Sequence, residues 1–216
     1  GGAIGDALGA PVEFDTIQQI RDQHGPDGIK DYVEFKDGHG SFTDDTQMLL
    51  FTAEALLRSW HRAVQRGIEG ALPSISYHSY LRWLYTQEHE KFNPGDKPYG
   101  HDILSGWVIK EPTLYEQRAP GMTCLSALRS GKSGSADNPL NDSKGCGTVM
   151  RTAPIGIVFR HDAAIAYREA AMMSYITHGH HTAAEASAFL AALIALLCQG
   201  KSVKDAMVEV ISDIQK

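Results

Sequence analysis

Residues 182–198, TAAEASAFLAALIALLC, decide the fold class. The segment has no glycine or proline and is built from strong helix formers. Its apolar residues cover nearly the whole circumference of a helix, which implies neighbours on every side. Thr182 and Glu185 have the spacing of a capping box at its start. The apolar part, Ala186–Cys198 with Ser187 as its one polar residue, is 13 residues long, too short to span a bilayer. The segment therefore reads as the inner helix of a helical protein.

Working outward, the 3.6-residue period predicts helices over 162–176 and 202–215 on either side, the second opened by Ser202 and Asp205. Further upstream it predicts a long helix over 45–66, with Met48, Leu49, Thr52, Ala55, Leu56 and Ser59 or Trp60 facing inward. A second helix over 73–87 carries Ile75, Tyr80, Trp83 and Leu84, and a short one covers 122–129. At the start, Gly1, Gly5 and Gly9 form a stripe on one helix face that Pro11 terminates by biasing Ala10 out of the helical region. Glycine weakens a helix interior, so the stripe either admits another backbone closely or serves some other end. Residues 15–42, 91–121 and 130–147 read as loops, with Asp27-Gly28 and Asp37-Gly38 as turn signals. Tyr32-Val33-Glu34-Phe35 is the nearest approach to a strand. The expected fold class is all-α, a compact orthogonal helical bundle with long functional loops.

Composition sets outer limits. The chain has 216 residues, 43% of them hydrophobic, which is ample for a packed core. A net charge of −6 argues against direct nucleic-acid binding by bulk electrostatics. Residues 1–100 carry 15 acids and 9 bases, so the acidic excess lies there. Three widely spaced cysteines, Cys124, Cys146 and Cys198, fit no disulfide framework or zinc spacing, which predicts a reduced, cytoplasmic protein. No basic, apolar leader is present in the sequence, and no membrane partner is expected. Nothing in the pattern specifies an oligomeric state.

Three junctions hold residues that could carry chemistry. Ser41-Phe42-Thr43-Asp44-Asp45-Thr46 lies where a loop enters a helix. One such residue suffices to cap a helix, whereas two adjacent carboxylates flanked by hydroxyls also offer hard oxygen ligands for Mg²⁺ or Mn²⁺. Gly145-Cys146-Gly147 opens a second turn, whose backbone N–H groups suit a phosphate or simply make a glycine turn. A nucleophilic role for Cys146 lacks any base assignable from sequence. Thr177-His178-Gly179-His180-His181 joins two helices; its histidines could meet helix carbonyls, or one could donate to a bound anion.

Taken in order, GAIGDALGAPVEF (2–14), FTDDTQM (42–48), GCGTVMR (145–151) and THGHH (177–181) resemble the ADP-ribosylglycohydrolase family. The resemblance implies an all-helical domain with a two-metal site, Mg²⁺ or Mn²⁺, that removes ADP-ribose from a modified side chain or related conjugate. It implies that Thr43, Asp44 and Asp45 are metal ligands, with Asp44 and Asp45 catalytic through the metal. Glu13 would be the acidic residue near the scissile bond. Gly145, Cys146, Gly147 and Met150 would hold the diphosphate and ribose, with His178 beside the phosphate. Cys146 departs from the Asn or Ser frequent in relatives. The implied partner is an ADP-ribosylated protein or an ADP-ribose conjugate.

Relatives also carry residues before the glycine stripe and a late Asp-x-Asp-Thr/Ser motif that completes the metal ligands. Between residues 182 and 216 only the isolated acids Glu185, Asp205, Glu209 and Asp213 occur. Residues 1–216 are thus expected to form one domain of this type, incomplete at both ends. The alternative expectation is a non-catalytic relative that binds ADP-ribose or a protein partner. Pro94, Tyr99, Trp107 and Tyr115 are candidates for a substrate rim or for ordinary loop packing.

Overall fold

A computed structural model describes residues 1–35 and 38–214; Asp37 of the second turn signal and the Gln215 end of the last predicted helix lie outside them. The helices are α1 (Gly2–Gly9), α2 (Ile17–His24), α3 (Asp44–Arg66), α4 (Leu72–Glu88), α5 (Met122–Arg129), α6 (Ala153–Val158), α7 (Ala163–Tyr175), α8 (His181–Cys198) and α9 (Val203–Ile214). The two-residue strands β1 (Glu34–Phe35) and β2 (Gly38–His39) pair antiparallel, Glu34 opposite His39 and Phe35 opposite Gly38. The all-α expectation is the observed fold.

The centre of the bundle is the α3–α4 pair. Met48 and Phe51 of α3 meet Tyr80, Leu81, Trp83 and Leu84 of α4, with Leu128, Ile155 and Met173 closing the cluster from α5, α6 and α7. Phe51, absent from the expected inner face of α3, is fully buried, whereas Trp60 is 63% exposed. The helix surrounded on most sides is α4 rather than α8, because α8 buries chiefly its alanines. Phe189, Leu190, Leu193, Ile194 and Leu197 of α8 are only half-buried.

This alanine face permits close packing. A methyl group on Gly156 of α6 would lie 2.4 Å from the carbonyl oxygen of Ala191, so the helices meet nearly backbone to backbone. Including His181, α8 has the length and mean composition of a candidate membrane span, longer than the apolar run read from sequence. Packing against α6, α7 and α9 accounts for that composition here.

Five local expectations are corrected. The Thr182–Glu185 box does not form: α8 begins one residue earlier, His180 caps it by accepting from Thr182 N at 3.0 Å, and Glu185 is engaged by the Tyr167 hydroxyl. Helix α2, inside the expected loop 15–42, is opened by a capping box between Thr16 and Gln19 and buries none of its residues, so it lacks the apolar stripe that marks a helix in sequence. Helix α6 was also missed, being six residues long with Pro154 in its first turn. The stripe of Gly1, Gly5 and Gly9 admits no backbone among the described residues, since methyl groups there would meet none of their atoms within 4 Å. Ala10 keeps helical angles despite preceding Pro11, in a short 3₁₀ turn over Ala10–Val12.

Candidate functional site

The N-terminus of α3 is built by three separate segments. Thr43 caps the helix, its hydroxyl accepting from Asp45 N at 3.3 Å, which realises the capping role. Asp6 of α1 then holds the junction. One carboxylate oxygen accepts from Thr43 Oγ1 (2.7 Å), and the other accepts from Thr43 N (2.8 Å), Thr46 N (3.1 Å) and Thr46 Oγ1 (2.6 Å). Asp6 was not among the expected site residues, although it is the only charged residue in the small-residue stretch GAIGDALGA. From the other side, Asp44 N donates to Arg118 O (2.9 Å) and Gly121 N donates to Asp44 Oδ2 (3.0 Å). Gln47 Nε2 donates to Glu116 O at 2.9 Å, tying the same segment to α3.

Carboxylates crowd this end of the helix. Asp44 is 6% exposed, and its pKa is pushed up to about 7, first by burial and then by the charges of Asp45 and Asp6, against the pull of the Gly121 N–H. Asp45 is pushed up to about 6 by burial and by the charges of Asp6 and Glu13. Glu13, exposed just after the 3₁₀ turn, therefore belongs to the same electrostatic cluster. A cleft of about 230 Å³ opens beside it, with Asp6, Asp45 and Thr46 on one wall and Val149, Met150 and Leu190 on the other.

The glycine junction forms a 3₁₀ helix over Cys146–Arg151 with Gly145 as its N-cap. Its shape is dictated by His178: a methyl group on Gly147 would lie 3.0 Å from the His178 ring and 3.0 Å from Cys124 Sγ. Asn141 zips the preceding loop to the histidine segment, donating to Thr177 O (2.8 Å) and accepting from Gly179 N (3.1 Å). His178 is 1% exposed, and its Nδ1 lies 2.9 Å from Thr177 Oγ1. Burial and the nearby Arg151 cation depress its pKa to about 4, so at neutral pH the imidazole is uncharged. Cys146 is exposed, while burial raises the Cys124 thiol to about 11.

Arg151, also missed as a site residue, couples the two junctions. It is 2% exposed and its guanidinium lies 4.2 Å from the centre of the Tyr80 ring. Nη2 donates to Thr177 Oγ1 (2.8 Å) and Met173 O (3.3 Å), and Nη1 reaches Met48 Sδ and Cys124 Sγ at 3.8 and 3.9 Å. A charge inside the otherwise uncharged run GCGTVMRTAPIGIV was the available signal.

Not every candidate gathers here. Tyr99 donates to Glu88 and Tyr115 to Ile109 O, so these two serve loop packing, while Trp107 lies against Arg58 on a different surface from the acidic cleft. The part of the 91–121 segment that does reach the site is Glu116–Gly121. The late acids are occupied elsewhere: Glu185 by Tyr167, Asp205 by Ser202 and Glu209 by Lys201. Of the Asp213 side chain nothing is described.

The fold is thus an all-helical bundle with an acidic cleft at the start of α3, faced by Val149 and Met150 of the 3₁₀ segment that follows the glycine junction. The profile of the ADP-ribosylglycohydrolase family matches residues 1–216, and the chain belongs to that family. It is 24% identical to an uncharacterized protein of Archaeoglobus fulgidus over 216 residues, 99% of this chain. The chain spans 58% of that relative's length.

Proposed function

We propose that the protein is a metal-dependent hydrolase that removes ADP-ribose from a modified side chain or an ADP-ribose conjugate by cleaving an N- or O-glycosidic bond. The observation that carries this reading is the placing of Asp6 and Asp45 on one wall of a cleft opposite Met150, with Asp44 and Glu13 close enough to couple to them through charge. Crowded carboxylates raised toward neutrality are relieved by a cation, and hard oxygen donors suit Mg²⁺ or Mn²⁺. The donor set fits one side of a two-metal site: Asp44 and Asp45 would hold the ion, with the Thr43 hydroxyl oriented by Asp6. When bound, such an ion supplies Lewis-acid polarisation of the ribose hydroxyls and a water of lowered pKa. Glu13, exposed and close enough to raise the pKa of Asp45, would accept or return the proton as the oxocarbenium-like state forms and decays. Cys146 and Gly147 would present backbone N–H groups to the diphosphate, Gly145, whose N–H donates to Ser143 Oγ at 3.3 Å, would shape the turn, Met150 would pack on the ribose, and His178 would brace the turn from beneath.

A second reading, ADP-ribose binding without hydrolysis, is favoured by one observation. Among the described residues no three His, Cys, Asp or Glu side chains stand close enough together to hold a metal. Titrating ADP-ribose calorimetrically in Mg²⁺ and in EDTA separates the two. The hydrolase reading expects Mg²⁺-dependent binding, release of ADP-ribose from modified arginine or serine peptides, and a Mg²⁺-induced rise in Tm. Asp44→Ala with Asp45→Ala should abolish that rise and the turnover. An undiminished Mg²⁺ shift in the double variant would overturn the metal assignment.

A further inference from the structure

Beyond the acidic cleft, a groove of about 740 Å³ lies between the second half of α3, the face of α4 carrying Ile75, His78 and Arg82, and the loop residues Ser105 and Trp107. Arg58 lies thirteen residues past Asp45, about 20 Å along the helix axis, so this is a separate place on the molecule. Its lining is cationic and aromatic: Arg58, Arg62 and Arg66 of α3, Arg82 of α4, and the indoles of Trp60 and Trp107.

Three features of the groove go beyond the needs of folding. First, Arg58, Arg62 and Arg66 stand at i, i+4 and i+8, where like charges oppose one another along a helix face. The helix dipole accounts for Arg66 in the last turn but not for Arg58 or Arg82. Second, the local acid is already committed: Glu54, buried beneath, accepts from Trp107 N (2.8 Å) and lies 3.7 Å from Arg58. Arg82, 4% exposed, donates through Nε to Ile103 O at 2.6 Å, and its Nη1 has no hydrogen-bond partner among the described residues. Burial and the Arg58 cation both work against its charge, while Glu54 and Asp102 offset them only in part. Third, Trp60 and Trp107 are 63% and 51% exposed, while the remaining tryptophan, Trp83, is fully buried. Large exposed indoles lining the same groove as the exposed guanidinium groups of Arg62 and Arg66 offer stacking surfaces and bidentate anion donors together.

We propose that this groove binds a mononucleotide-sized ligand, its phosphate held among the arginines and its planar ring stacked on Trp60 or Trp107. The volume matches a small-molecule site. A single-stranded nucleic acid would instead track a longer basic surface, against the net charge of −6.

Because two of the three tryptophans line the groove, intrinsic fluorescence reports its occupancy. The full chain is titrated with AMP, ribose 5-phosphate and a single-stranded oligonucleotide at low and physiological salt. AMP should quench the emission saturably, and ribose 5-phosphate, lacking the ring, should bind more weakly. Arg62→Ala with Arg66→Ala, both exposed and tolerant of substitution, should weaken AMP binding about tenfold or more. Asp44→Ala with Asp45→Ala should leave the AMP response unchanged. No saturable response, undiminished affinity in the arginine variant, or loss of binding in the aspartate variant would each overturn the proposal. So would an oligonucleotide that binds far more tightly than AMP with a steep salt dependence.

Discussion

At the scale of single residues, the molecule uses neutral or half-neutral groups where charge would be costly. His178 is the clearest case. Its pKa falls from 6.5 to about 4 on folding, so the unfolded chain takes up a proton more readily as pH drops. The stability associated with the neutral imidazole is complete above pH 6.5 and is lost between 6.5 and about 4, amounting to about 3 kcal/mol. Asp44 and Asp45 act in the opposite sense, since their raised values favour the folded state below the usual carboxylate range and disfavour it as pH rises through about 7 and about 6. The His178 contribution is therefore isolated by comparing urea midpoints of the protein and of His178→Gln across this window. The variant should lose the acid-side decline that the imidazole imposes, and parallel profiles would refute the depressed value. Asp44, Asp45, Gly147 and His178 were legible because polar or glycine residues at helix junctions stand out in one dimension. Asp6 and Arg151 were not, because their partners lie 37 and 26 residues away, at Thr43 and Thr177.

At the scale of elements, identical residue types take opposite roles according to what faces them. Gly5 in α1 has open space around an added methyl group, whereas Gly156 in α6 faces Ala191 O at 2.4 Å. Gly5→Ala is expected to stabilise the protein by about 0.5–1 kcal/mol through helix propensity and reduced unfolded-state freedom. Gly156→Ala should instead cost about 1–3 kcal/mol by forcing α6 and α8 apart. Urea denaturation of the two variants checks both signs; a stabilising Gly156→Ala would contradict the close crossing. Long helices were readable because 3.6-residue periodicity accumulates over several turns. Helices α2 and α6 were not, since eight and six residues give the period too few repeats.

At the scale of the whole molecule, Arg151 links four elements: α3 through Met48, α4 through the Tyr80 ring, α5 through Cys124 and the histidine segment through Thr177. Arg151→Ala should lower stability by about 3 kcal/mol, from lost packing and polar partners left unpaired. Arg151→Lys should not restore it, because an ammonium lacks the planar face that rests on Tyr80. A lysine variant with the original denaturation midpoint would assign the effect to charge alone. Charge is likewise distributed at this scale. The acidic excess of residues 1–100 includes the cleft carboxylates, yet the same half contains the four arginines of the α3–α4 groove, which net charge conceals. Helix class, the order of the four motifs and the capping of α3 were determined in the chain alone, because propensity, periodicity and caps act over a few residues. Which helix became central, which glycines met a neighbour, how Asp6 and Arg151 were satisfied and where the arginines converged were decided only by the tertiary structure. Those outcomes depend on burial and on contacts between segments far apart in the chain, which no local pattern records.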